Sequence, residues 1–396
     1  MNRLRSVGGT TVGLLVLTSI VVRVLLAGPD YNHDFTSYRI VASIMERGGN
    51  VYAETDRYNY GPIWFWVLHL LDATAQRFAD PTMAFRLAVA SFLSLVDIGL
   101  FAVIYYNFGR LPAMAALLNP VAILISGYHG QFDNLAVLLA MLAVLVYDSD
   151  QRESPHPSNI TKRRLAAYCL LGLSLMVKHV FFAFPVWLAL RERRWGPRAW
   201  AIGVPIAVFL MGFLPYWRSG GAGIVANVFL YTSRHNAPLW NTILPSVIRS
   251  LVSPLEFFLG AVLLAGYLTR RWQTMDALLI YSLVLVAFSP AMTNQYLAIV
   301  VPAIAVFSNI PFVVYTVATT VLLMGHKDGL RVVLPKSISD WAWSPNVYQI
   351  PILVLFVGTL WVAFDKSTRI RRAGSKRSSL SATGVHTETV SPRLEH

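Results

Sequence analysis

The sequence has few charged residues for its length and only one cysteine. Asp, Glu, Lys and Arg make up 13% of its 396 residues, whereas a soluble domain carries about 25%. One cysteine excludes a framework of internal disulfides. Acids are scarcer than bases, 20 against 33, so an acid next to an apolar segment needs a specific explanation. The low charge excludes an ordinary soluble domain.

Several motifs of other chemistries are also absent. The sequence has no phosphate-binding loop of the G-x-x-x-x-G-K-S/T type, no G-x-G-x-x-G after a strand, no H-E-x-x-H and no C-x-x-C. It has no Gly-Ser-Gly elbow for a serine nucleophile. Its histidines lack the tight spacing of metal ligands. We therefore predict neither a metal site nor a cofactor.

Apolar residues, in contrast, are abundant and come in blocks. They make up 55% of the chain, and one block of about 20 residues suffices for a helical bilayer crossing. The blocks are too numerous for a single soluble core. We predict an all-α polytopic membrane protein with about ten to twelve transmembrane helices, together with interfacial helices in its first outer loop.

Basic residues are distributed in short runs between the apolar blocks. The net charge is +13, which invites a nucleic-acid interpretation, but the bases do not share one face. Their distribution follows the positive-inside rule, so anionic membrane lipids are the expected partner. The pattern predicts cytosolic N- and C-termini. The basic runs lie at Arg3/Arg5, Arg110, Lys162–Arg164, Arg191–Arg198, Arg270/Arg271 and from Lys366 onward.

The same alternation predicts the domain organisation. Residues 1–365 form one transmembrane domain, whose outer loops span residues 28–83, 217–254 and 326–346. Residues 366–396 are rich in Ser, Thr, Lys and Arg without apolar periodicity. Such a segment cannot bury enough apolar surface to fold, so we predict a disordered cytosolic tail.

Three charged residues fall inside apolar blocks, where charge is expensive. Arg23 lies near the outer end of the first block, and we expect it to snorkel to the interface. Arg86 and Asp97 share one predicted helix. Either residue can pair with another helix, and we expect structural roles for both.

Other polar residues collect on the predicted outer side. Asp34 begins the first outer loop close to the membrane, and we take it as a candidate general base. Bases and amides that suit a lipid phosphate and a sugar stand at the other outer turns. A solvated loop or an interfacial anchor is the alternative for each residue alone. The substrate-binding candidates are Arg39, Tyr60, His129, Gln131, Lys178, His179, Arg234, His235 and Gln295.

Five short segments follow one another along the first half of the chain. They are D-F-T-S-Y-R, Y-N-Y-G-P, R-L-A-V-A-S-F-L-S-L-V-D, N-P-V-A-I-L-I-S-G-Y-H-G-Q-F-D-N and V-K-H-V-F-F-A-F-P. In this order they resemble the GT-C superfamily of integral-membrane glycosyltransferases. The sequence looks most similar to the glucosyltransferases that use dolichyl-phosphate glucose to extend lipid-linked oligosaccharides, and the resemblance covers roughly residues 10–190.

The resemblance implies a polyprenyl- or dolichyl-phosphate sugar donor and an inverting transfer on the non-cytosolic face. Asp34 would be the base, and Lys178, His179, Arg234 and His235 would hold the donor phosphate. The acceptor would be a glycolipid, a lipid-linked oligosaccharide or another glycan. The membrane would be the bacterial plasma membrane, or the endoplasmic reticulum membrane in a eukaryote.

Two departures from the family pattern leave the transferred hexose open between mannose and glucose. Tyr-Gly-Pro replaces Tyr-Pro-Pro, and S-P-A-M-T-N-Q-Y-L-A-I-V-V-P lacks a motif of the His-Val-His-Glu type. A transporter or lipid flippase is the alternative from another class, since it also needs charge near the bilayer. A membrane scaffold without catalysis is a third alternative.

Overall fold

The computed structural model describes residues 2–28, 33–153, 160–231, 236–326, 329–330 and 332–383. Within these ranges all regular secondary structure is helical. The first half contains α1 Asn2–Leu26, α2 His33–Glu46, α3 Val51–Glu54, α4 Pro62–Ala75, α5 Pro81–Phe108, α6 Arg110–Leu117, α7 Pro120–Ile123, a π-helical turn Leu124–Tyr128, α8 Asp133–Glu153, α9 Lys162–Val177 and a 3₁₀ turn His179–Phe181.

The second half continues with short and bent helices. Its elements are α10 Phe184–Arg191, α11 Trp195–Met211, α12 Leu214–Ile224, a second π-helical turn Val225–Phe229, α13 Pro238–Ile243, α14 Ser246–Arg249, α15 Pro254–Thr269, α16 Thr274–Phe288, α17 Tyr296–Ile299, α18 Val301–Val306, α19 Ile310–Gly325, α20 Lys336–Ala342 and α21 Gln349–Thr383.

Three helices in the described ranges are long and apolar enough to cross a membrane: Gly9–Leu26 within α1, α5, and Gln349–Thr368 within α21. The number rises to five if the bent pairs α6 with 120–128 and α11 with 214–229 each count as one span. Further apolar helices of 10–17 residues accompany them. The prediction of an all-α polytopic membrane protein is confirmed. Fewer helices than the predicted ten to twelve reach this length within the described ranges, because several apolar blocks form shorter helices.

The bends follow from local sequence. Asn119 caps α7 by accepting a hydrogen bond from the Val121 backbone N–H at 3.0 Å, and Pro120 occupies the first helical position, where a missing N–H is tolerated. The chain turns by 43° there. The α11–α12 pair bends by 86°, with Pro215 near the start of α12. Both bends are followed by a π-helical turn.

Arg23 faces the interior of the bundle. Its side chain is 1% exposed, and its Nε lies 2.9 Å from Asp97 Oδ2. Ser126 Oγ donates to the same oxygen at 2.8 Å, and Asn134 Nδ2 donates to Asp97 Oδ1 at 2.8 Å. The prediction that Arg23 snorkels was wrong, because these partners provide its charge with acceptors inside the bundle. The structural role predicted for Asp97 is confirmed by these contacts, which join α1, α5 and α8.

A second buried ionic cluster lies at the other end of α8. Arg164 Nε lies 3.0 Å from Asp150 Oδ2, and its Nη1 lies 3.3 Å from Glu192 Oε1. The Tyr147 hydroxyl donates to Glu192 at 2.8 Å. Asp133 and Asp150 are about 25 Å apart along α8, from the rise per residue of an α-helix. Asp133 and its neighbours therefore lie at the start of α8, and the Arg164 cluster lies at its far end.

The helices predicted within the first outer loop, residues 28–83, are present as α2, α3 and α4. The final helix runs through Thr383 and so extends into the tail for which composition predicts disorder, while residues 384–396 lie outside the described ranges. The side of the membrane on which each loop lies stays a prediction.

Candidate functional site

Asp34 lies in the first turn of α2 and meets a residue from a distant turn. Its Oδ2 accepts a hydrogen bond from Gln131 Nε2 at 2.6 Å, across 97 positions of sequence. A carboxylate in the first turn of a helix also interacts favourably with the helix dipole. Two of the predicted site residues are thus in direct contact.

The turn that carries Gln131 requires a glycine. The Gln131 N–H donates to the Ile125 carbonyl at 3.1 Å, which folds the chain back after the π-helical turn. Gly130 has φ +62°, a left-handed conformation that glycine adopts without steric cost. A Cβ at Gly130 would lie 2.6 Å from the ring of Phe35. The turn is therefore pressed against α2, next to Asp34.

Lys178 follows α9 and lies in a cage of one carboxylate and three aromatic rings. Its Nζ lies 2.7 Å from Asp133 Oδ2, and the two residues are 3% and 1% exposed. Nζ also lies 5.1 Å from the ring centre of Tyr60, 5.3 Å from that of Phe132 and 5.6 Å from that of Tyr296. These distances suit cation–π attraction. We call these five residues the Lys178 cage.

Gly61 explains how Tyr60 comes to lie over Lys178. A Cβ at Gly61 would lie 1.8 Å from the backbone oxygen of Met176, near the end of α9. No residue with a side chain fits this approach. The Tyr-Gly-Pro variant of the motif is therefore required by the contact between this segment and α9, with Pro62 at the first position of α4.

A cavity of about 560 Å³ lies beside the cage. Four predicted site residues line it: Tyr60, Lys178, His179 and Gln295. Burial, and then the ammonium of Lys178, lower the pKa of His179 to about 4. His179 is therefore neutral at pH 7. Much of the remaining wall is apolar, formed by Val180, Phe182, Leu255, Phe258, Leu285, Val286 and Ile299.

Aromatic rings pack around Tyr60, which lies near both Asp34 and Lys178. Tyr60 and Phe132 meet edge to face at 4.8 Å between ring centres, and Trp64 stacks on Phe132 at 4.2 Å. Burial, and then the carboxylates of Asp34 and Asp133, raise the pKa of Tyr60. Both carboxylates therefore act on the same phenol. The acidic and basic halves of the predicted site therefore both lie near Tyr60.

The other predicted residues have different surroundings. Arg39 donates to Thr82 Oγ1 at 3.2 Å and lies over the ring of Phe85, so it links α2 to α5. His129 is buried, with its ring edge-on to Tyr128. Neither is among the described residues that line the large cavity. Arg234 and His235 lie outside the described ranges. Substrate binding by these four residues stays a prediction.

No protein-family model matches the chain, and the comparison with curated proteins also gives no match. Among solved structures, the chain is similar to the crystal structure of ArnT from Cupriavidus metallidurans in the apo state. The two share 16% sequence identity, and the similarity covers 90% of this chain and 76% of that chain with a TM-score of 0.49. This likeness is too distant to assign a family.

A smaller cavity of about 30 Å³ lies behind Gln131, lined in part by Asp97, Gln131, Asp133 and Asn134. Gln131 Oε1, Asp133 Oδ1 and Asn134 Oδ1 are buried and have no hydrogen-bond partner within the described ranges. The three acceptors thus give one polar edge to a cavity whose remaining wall is mostly apolar. No group of three or more His, Cys, Asp or Glu in the described chain has the geometry of a metal site.

Sequence reasoning missed two members of the Lys178 cage, Phe132 and Tyr296, and gave Asp133 no role in the site. Asp133 stands two residues after Gln131, so the polar turn G-Q-F-D-N was the available signal. Its pairing with Lys178 joins α8 to the end of α9 across 45 positions. The arrangement provides a partly accessible carboxylate, a caged ammonium and a mostly apolar cavity within one region.

Proposed function

We propose that the chain is an integral-membrane glycosyltransferase that takes its sugar from a polyprenyl-phosphate donor. The observation that carries this proposal is the Lys178 ammonium at the wall of a largely apolar cavity of about 560 Å³, with the Asp34 carboxylate also close to Tyr60. An apolar cavity with a few convergent polar groups is the usual form of a ligand site. The motif resemblance to the GT-C superfamily supports the same assignment.

The cavity suits the donor in shape and charge. Its apolar wall fits the first isoprene units, and Lys178 and the neutral His179 are placed to donate hydrogen bonds to the phosphate. The donor phosphodiester carries one negative charge, and the polyprenyl phosphate that leaves carries a second. Lys178 would stabilise that developing charge, which is a large contribution to many enzymatic rates. To do so, the phosphate must share Lys178 with Asp133.

Asp34 would act as the general base. The acceptor hydroxyl oxygen attacks the anomeric carbon while its proton passes to the Asp34 carboxylate. The bond between the anomeric carbon and the phosphate oxygen breaks, and its electron pair leaves with the phosphate. A single displacement of this kind inverts the anomeric configuration. We propose a hexose, mannose or glucose, and an acceptor that is a glycolipid, a lipid-linked oligosaccharide or another glycan.

The basic runs support transfer on the non-cytosolic face of the membrane. They favour cytosolic N- and C-termini by the positive-inside rule. In this orientation the start of α8, which lies near Asp34, is on the non-cytosolic side. The membrane would be the plasma membrane of a bacterium or the endoplasmic reticulum membrane of a eukaryote.

The test is transfer of label from polyprenyl-phosphate mannose or glucose in membranes that contain the chain. Asp34→Asn is expected to lower transfer at least 100-fold, the lower range of general-base contributions being about 10²-fold. Asp72→Asn is the control, because Asp72 also accepts from a glutamine, Gln76, at 3.1 Å but lies on α4 away from the cavity. Full activity of Asp34→Asn would refute the base. Translocation of the donor without transfer would favour a flippase.

A further inference from the structure

We propose that Gln131 positions the Asp34 carboxylate for proton abstraction and does not contact the substrate. This inference rests on the proposed function, since it concerns how the base is held. It replaces the substrate-binding role that the sequence predicts for Gln131 with a role exerted through Asp34.

Burial argues against direct substrate contact. Gln131 is 2% exposed, whereas Asp34 is partly exposed; neither is among the described residues that line the large cavity. Its carboxamide lies between Asp34 and the small cavity that it shares with Asp133 and Asn134. Gln131 therefore acts on the reaction only through a neighbouring side chain.

The hydrogen bond restrains the Asp34 carboxylate. An ionised carboxylate only accepts hydrogen bonds, so the group facing it is the amide nitrogen of Gln131. Gln131 Nε2 holds Oδ2 at 2.6 Å and thereby restricts rotation of the carboxylate. Catalytic geometry of this kind has to be held by a neighbouring group whose own position is locked.

The backbone around Gln131 is immobilised on both sides. Gly130 packs against Phe35, which follows Asp34 directly on α2. Phe132 is fully buried and stacks on Trp64 at 4.2 Å. The Gln131 N–H is bonded to the carbonyl of Ile125. The carboxamide has little freedom to follow a moving substrate but is well placed to hold a fixed carboxylate.

The hydrogen bond also favours the ionised form of the base. Removing it should make Asp34 easier to protonate, so that the acid limb of the pH–rate profile moves to higher pH. Other titratable and charged groups act on the same region and are left intact by substitution of Gln131. They are His33 and Tyr38 on α2, Tyr60 before α4, Arg86 on α5, His129 in the π-turn loop and Asp133 on α8.

The test compares Gln131→Ala and Gln131→Glu with wild type in the full-length protein, with kcat and donor KM measured from pH 5 to 9. We expect Gln131→Ala to lower kcat about 10- to 100-fold, a part of the general-base contribution, with donor KM within twofold. In Gln131→Glu two carboxylates meet and share a proton, so the acid limb should move up by at least about one pH unit.

Gln76→Glu is the matched control. Gln76 donates to Asp72 at 3.1 Å on α4, so the same substitution at another glutamine–aspartate pair should leave kcat and the pH profile unchanged.

The pair Asp34→Glu with Gln131→Asn lengthens the acid by one methylene and shortens the amide by one. It should recover at least tenfold of the kcat lost in Gln131→Asn alone.

A tenfold rise in KM with unchanged kcat in Gln131→Ala, or a wild-type pH profile in Gln131→Glu, would overturn the inference. Because Gln131→Glu is nearly isosteric, it remains informative if Gln131→Ala fails to fold. Asp34→Asn distinguishes a failure of the proposed base from a failure of the positioning role of Gln131. If it keeps full activity, the proposed base is wrong. If it is inactive while Gln131→Glu behaves as wild type, only the positioning role fails.

Discussion

Replacing Lys178 with methionine removes one half of a buried ion pair and leaves Asp133, which is 1% exposed, without its cation. Removing one partner of a buried pair costs about 3–5 kcal/mol. Methionine keeps most of the apolar stem of lysine in contact with Tyr60, Phe132 and Tyr296, so little packing is lost. The loss of cation–π attraction adds up to about 2 kcal/mol for a desolvated site. The electrostatic effect on Asp133 therefore dominates.

The loss of stability depends on pH because Asp133 can take up a proton. Burial raises the pKa of Asp133, and Lys178 opposes that effect. Without Lys178 the pKa rises further, so the folded variant binds more protons than the unfolded chain. Stability then falls as pH rises through the raised value and recovers as pH falls. The destabilisation of Lys178→Met relative to wild type should therefore be larger at the high-pH end of the measured range than at its low-pH end.

The assay is thermal unfolding of the purified protein in detergent between pH 5 and 8, alongside transfer of labelled sugar. Lys178→Met should lower Tm on the order of 5–10 °C at pH 8. Adding Asp133→Asn removes the uncompensated charge and should restore most of that Tm. It should not restore transfer, since the donor phosphate still lacks its cation. A pH-independent Tm loss would refute the electrostatic argument, and recovered transfer in the double variant would refute the phosphate role of Lys178.

Two further substitutions test the architecture around the site. Gly130→Ala should destabilise the protein by at least about 1–2 kcal/mol, the cost of a left-handed residue with a Cβ, and should lower kcat by displacing Gln131. Gly203→Ala on α11 is the control, because nothing lies within 4 Å of a Cβ there; equal Tm values for the two variants would contradict the explanation. Arg23→Leu should cost about 3–5 kcal/mol by leaving Asp97 uncompensated, measured as a Tm loss that Arg23→Leu with Asp97→Asn partly reverses. A Tm loss no smaller in the double variant would argue against the ion pair.

The sequence alone determined the class of the protein. Its low charge and apolar blocks predict helices in a bilayer, because lipid offers no partner to an unpaired backbone amide. The scarcity of acids and the motif order also selected Asp34, Gln131 and Lys178 as residues of interest. These conclusions depend on composition and local spacing, which are visible without coordinates.

The contacts between those residues required the tertiary structure. Asp34 meets Gln131 across 97 positions, and Lys178 meets Asp133 across 45. Local patterns do not encode such pairs, because helix packing selects the partner. Arg23 shows the same limit, since snorkelling or burial depends on whether Asp97 on another helix lies within reach. The sequence supplied the charged groups, and the packing of the helices decided which of them neutralise one another, because burial is tolerated only where an opposite charge is present.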